Sequence, residues 1–84
     1  MMTSTLDEYL QRYKVAYQTD QHPRDPKVWL CTMRYGEQTV SHCLQSDTRP
    51  DPADTIRALP TRTLTRIFGP DMAAEIVNLV QQED

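Results

Sequence analysis

The spacing of apolar positions changes along this chain, and each change marks an element. Leu6, Tyr9, Leu10 and Tyr13 recur at i, i+3, i+4 and i+7, one face of a helix. Two capping boxes, Ser4-x-x-Asp7 and Thr5-x-x-Glu8, stand at its start. Tyr13, Val15 and Tyr17 then alternate with Lys14 and Ala16, which is strand spacing in strand-favouring residues. The pattern predicts a short helix to about Arg12 and a strand over about 13–18, with one longer helix as the alternative. Residues 19–27, TDQHPRDPK, carry two prolines and no apolar side chain, and read as a loop.

The next stretch, WLCTMRYGEQTVSHCL over 29–44, predicts a hairpin. Gly36-Glu37 fits a two-residue type II′ turn, because glycine supplies the positive φ that its first central position needs. That turn pairs Tyr35 with Gln38, Met33 with Val40, Cys31 with His42 and Trp29 with Leu44. Directly paired residues share a face. Trp29, Cys31, Met33, Tyr35, Val40, His42 and Leu44 then fall on one side. Thr32, Arg34, Thr39 and Ser41 fall on the other, with Leu30 and Cys43 near its end. A slip by one residue scatters the apolar set over both faces, so the pattern itself selects the register. In this register Cys31 and Cys43 point to opposite faces and do not bond. A three-residue loop would set them directly opposite.

Residues 45–52, QSDTRPDP, form a second polar loop, and a helix follows. Asp51 stands as N-cap, Pro52 at the first helical position and Asp54 at the third, facing the positive helix end. Ala53, Ile56 and Leu59 line one face until Pro60 ends it. A further short helix follows, capped by Thr61 or Thr63, with Leu64, Ile67 and Phe68 inward and Gly69 closing it. Met72, Ile76, Val77 and Val80 define a last helix over about 71–82. The elements add up to an α+β fold, a small antiparallel sheet of two or three strands covered on one face by the C-terminal helices.

Length changes this picture only by limiting it. Eighty-four residues make a single small domain over 1–84. Such a domain buries only roughly 60–65% of its unfolded surface, and 38% hydrophobic residues leave a thin core that a partner or second copy would support. A net charge of −3 argues against a general nucleic-acid binder. No apolar run approaches the ~20 residues of a membrane span, and the N-terminus lacks the basic and apolar regions of a secretory signal. The expectation is a cytoplasmic protein with reduced thiols, outside the membrane.

Candidate chemistry is sparse. Cys31 beside His42 has the composition of a thiolate–imidazolium pair, but no third orienting group is evident, and a buried cysteine beside a half-buried histidine is the plainer reading. A metal site would need Cys31, Cys43, His42 and His22 to converge, without any close ligand spacing and across two faces. Neither metal nor cofactor is expected. The nucleotide-binding and hydrolase motifs are absent, and both glycines are explained by turns, so the sequence reads as that of a non-enzyme. Arg57, Arg62 and Arg66 form a local basic cluster suited to phosphate or to an acidic surface; the plainer reading is a solvated helix face. Tyr9 and Tyr13 are aromatic side chains of the kind that dominate protein interfaces.

The hairpin and the helix after it carry a resemblance. Trp29, Gly36, Thr39, Val40, Pro52, Asp54 and Leu59 follow a tryptophan-led strand, a glycine turn, a threonine-rich return strand and a Pro-x-x-Asp helix. Over about residues 29–59 this resembles a group of small uncharacterised phage and prophage proteins. Relatives often carry a glycine after the second strand, where this chain has Gln45-Ser46-Asp47. The resemblance implies a phage or mobile-element setting and no known activity. By analogy of size and context with anti-CRISPR proteins, it leads to the expectation of a protein that binds and inhibits a host or defence protein by steric occlusion. Tyr9, Tyr13, Asp47 and Asp51 are the expected contacts. The alternative is a nucleic-acid-associated regulator using Arg57, Arg62 and Arg66. A homodimer through an open sheet edge is compatible with either.

Overall fold

The computed structural model describes residues 5–82 and runs α1 (Thr5–Arg12), β1 (Ala16–Gln21), β2 (Val28–Tyr35), β3 (Gln38–Gln45), α2 (Pro52–Ala58), α3 (Thr61–Phe68) and α4 (Pro70–Gln82). The three strands form one antiparallel meander in the order β1-β2-β3, and the C-terminal helices pack against it. The fold is therefore α+β.

The hairpin register is the expected one. Cys31 pairs with His42, Met33 with Val40 and Tyr35 with Gln38. Gly36 has φ 61°, while Glu37 keeps a negative φ, as a type II′ turn requires. Along β2, burial alternates: Trp29, Cys31 and Met33 are buried, Leu30 and Arg34 exposed. Cys31 is thus inside and Cys43 outside, both as free thiols.

The first strand lies further along than its tyrosines suggest. β1 spans Ala16–Gln21, so Thr19, Asp20 and Gln21, expected in a loop, pair with Cys31, Leu30 and Trp29. An edge strand is held by backbone hydrogen bonds to β2 and needs little apolar content of its own. What displaces it is Lys14 at φ 58°. The Val15 N–H reaches Leu10 O at 2.9 Å and the Lys14 N–H reaches Gln11 O at 3.1 Å. This is a Schellman ending of α1 with lysine in the left-handed position that glycine usually takes. The Ser4 cap expected at the other end of α1 lies outside the described residues.

The core joins both layers. Leu6 and Leu10 of α1, Met33 of β2, Ile56 of α2, Leu64, Ile67 and Phe68 of α3, and Ile76 and Val80 of α4 form one buried cluster. The capping box of α2 is complete: Asp51 Oδ1 accepts from the Asp54 N–H at 2.9 Å, and Asp54 Oδ2 from the Asp51 N–H at 3.1 Å. Helix α3 differs from expectation. It is preceded by Pro60 with no side-chain cap, and neither Thr61 nor Thr63 plays that part. Gly69 ends α3 at φ 85° and ψ 161°, a region essentially reserved for glycine. Its carbonyl also accepts from Ala73 and opens α4.

Candidate functional site

Two polar ties fix the sheet to the segment that leads into α2. The Tyr17 hydroxyl, on the inner side of β1, donates toward Pro50 O and Asp51 O at 3.1 Å each and lies 2.8 Å from Thr55 Oγ1. Burial pushes its pKa up, and the neighbouring Cys31 thiol adds to the rise, while the Thr55 hydrogen bond opposes it. The Trp29 indole N–H donates to Ser46 O at 3.0 Å, and the Arg49 guanidinium lies 6.0 Å from the ring centroid. These contacts hold the loop before α2 against the strand ends.

The aromatic corner is built from α1. Tyr9 and Tyr13 stand one helical turn apart with ring centroids 4.7 Å apart. The Tyr9 hydroxyl donates to Glu75 Oε2 of α4 at 2.6 Å. Desolvation, then this hydrogen bond, then the Glu75 charge push the Tyr9 pKa up. With Tyr9 tethered, Tyr13 projects beside it at 40% exposure. It lines an open cleft of about 490 Å³ with Lys14, Ala16, Arg34, Tyr35 and Gly36, where β1 begins and the β2–β3 turn lies. Neither Lys14 nor Arg34 has an ion-pair partner among the described residues.

Among the described residues no helix covers the outer side of the sheet, where Gln18, Asp20, Leu30, Arg34, Thr39, Ser41 and Cys43 are exposed. Its middle row is Gln18, Thr32 and Ser41, with Thr32 Oγ1 and Ser41 Oγ 3.1 Å apart. Toward the Tyr13 cleft the next row is Ala16, Arg34 and Thr39. At the opposite end the row is Asp20, Leu30 and Cys43. Leu30, 41% exposed, lies there in an apolar depression of about 270 Å³ with Pro23, Val28 and Cys43.

The residues singled out from the sequence do not meet in one place. Tyr9 and Tyr13 are together. Asp47 lies past the other end of the sheet, its carboxylate 3.7 Å from Lys27 Nζ in an exposed pair worth little to stability. Asp51 is engaged in the α2 cap. Arg57 is 3.5 Å from Asp54 and reaches Val80 O near the end of α4 at 3.5 Å. Arg62 and Arg66 project from α3 on the side away from its buried stripe, without an ion-pair partner among the described residues.

Cys31 and His42 are cross-strand neighbours, but Cys31 has no exposed surface. A nucleophile must reach its substrate, and this thiol does not in the described conformation. Among the described residues no three His, Cys, Asp or Glu side chains converge on a metal position. No helix among them is long and apolar enough to cross a membrane. Sequence reasoning missed Lys14 and Arg34 as companions of Tyr13. Their proximity follows from the strand register, and the pairing of Ala16 with Arg34 carries the only signal for it. The chain matches no protein-family model, no curated protein and no solved structure.

Proposed function

We propose that this chain is a small accessory protein of a phage or mobile element that binds a host or defence protein and blocks it by occlusion, without catalysis, in the manner of anti-CRISPR proteins. The observation that carries the binding surface is the Tyr13 corner. A half-exposed aromatic ring is backed by Tyr9 and flanked by Lys14 and Arg34, two cations without ion-pair partners among the described residues. Aromatic rings and arginine supply much of the energy in protein interfaces, and the two cations suit an acidic patch on the partner. The phage setting rests on the resemblance of residues 29–59.

The test is capture of the tagged chain from bacterial lysate with nuclease at low and high salt, followed by affinity measurement on the partner identified. One protein retained at high salt, with affinity lowered at least about tenfold by Tyr13→Ala and by Arg34→Ala in folded variants, is the expected result. Full affinity in both variants refutes the surface. Nucleic acid alone, lost at high salt, refutes the reading and moves the argument to Arg62 and Arg66.

A further inference from the structure

We propose that two copies of the chain pair face to face through the open side of the sheet, about a two-fold axis running across the strands at the level of Thr32. This concerns the purified chain alone and does not depend on the occlusion reading.

The argument is one of self-complementarity. The open face carries its charges at opposite ends, Asp20 in one terminal row and Arg34 in the other, with Lys14 beside Arg34. Asp20 accepts only a side-chain amide, that of Gln18 at 3.2 Å, and none of the three has an ion-pair partner among the described residues. Four residues separate the end rows, about 14 Å along a strand. The described residues expose only two large hydrophobic side chains, and these too lie at opposite ends: Leu30 with the acid, Tyr13 with the cations.

A two-fold axis across the strands inverts the rows. Arg34 and Lys14 of one copy then lie over Asp20 of the other, and the symmetric contact repeats the pairing, as an isologous interface requires. The same operation sets each Leu30 against the partner copy's Tyr13 cleft and brings the hydroxyls of the middle row together. An axis along the strands fails, because it places Arg34 on its own symmetry mate. The opposed sheet faces cover only about 350 Å² per copy from strand spacing and rise. That is well below the ~800 Å² of a standard interface, so the pairing is weak and concentration-dependent.

Sedimentation of the full chain from about 5 to 500 μM measures it, spanning the range in which a small interface associates. A monomer–dimer equilibrium is expected, weakened at least about tenfold by Asp20→Arg or by Arg34→Asp alone. An equimolar mixture of these two variants restores the dimer, because one copy then carries both cations and the other both acids. The double variant D20R/R34D restores it as well. Circular dichroism checks that each variant is folded, which exposed positions on a sheet face permit. A parent chain that stays monomeric throughout overturns the proposal, the open face then being solvated as many antiparallel sheets are. A dimer indifferent to both charge reversals overturns it equally.

Discussion

Replacing Tyr17 with phenylalanine removes one oxygen atom and cuts the tie between the edge strand and the start of α2. The hydroxyl proton is shared by Pro50 O and Asp51 O, and the oxygen lies 2.8 Å from Thr55 Oγ1, whose residue has no exposed surface. A hydrogen bond contributes about 1 kcal/mol net, and a buried hydroxyl left alone costs about 1–3 kcal/mol. Thr55 can recover part of this by turning to Asp51 O one helical turn earlier. The variant is therefore expected to lose about 1.5 kcal/mol. With a urea m-value of about 1 kcal/mol/M, the midpoint falls by about 1.5 M at unchanged m, and Tm falls by about 6–12 °C. Thr55→Val serves as the second arm of a double-mutant cycle, with an expected coupling of about 1 kcal/mol. A Tyr17→Phe midpoint within about 0.3 M of the parent would refute the reasoning, since that corresponds to less than half of one ordinary hydrogen bond.

Two further outcomes follow from named groups. Lys14→Gly relieves a left-handed conformation that costs an L-residue about 1–2 kcal/mol, offset in part by the added freedom of glycine in the unfolded chain; thermal unfolding should show a net gain of about 0.5–1 kcal/mol, and a loss would mean that the lysine stem contributes packing. Tyr9 and Tyr17 resist ionisation in the fold. Their contribution is complete below the ordinary tyrosine value of about 10 and is lost as pH rises toward the folded values, so the urea midpoint should decline above about pH 10, less steeply in Tyr17→Phe; a flat profile would contradict the assignment.

How far the sequence carried these conclusions depended on where the signal lay. The hairpin was legible to the residue because turn chemistry and inward-facing pattern select one register. The α2 start was legible because Asp51, Pro52 and Asp54 each occupy the position their chemistry favours. β1 was misplaced by three residues at each end, since the apolar alternation that marks a strand breaks off after Tyr17 while backbone pairing continues to Gln21. Lysine is not a turn residue, so the bend at Lys14 left no trace. Thr61 and Thr63 looked like caps, yet α3 starts from Pro60 without one. The Tyr13 corner was half legible. The tyrosine pair follows from helical spacing, but the Glu75 tether and the flanking Arg34 come from elements far along the chain.

The docking of α1 on α4 also imposes an order in time. Synthesis passes α1 before it reaches α4, at about 5–20 residues per second. Tyr9 emerges early, whereas Glu75 is 66 residues away along the chain, a delay of about 3–13 s at that rate. Until then an eight-residue helix lacks the helix it packs on, and an isolated helix of that length is marginal in water. Leu6 and Leu10, later among the most buried side chains, wait in contact with solvent. Helix α1, made before the other described elements, is thus among the last of them to find its place. A nascent chain stalled before α4 presents Leu6 and Leu10 to whatever chaperone or protease patrols the ribosome.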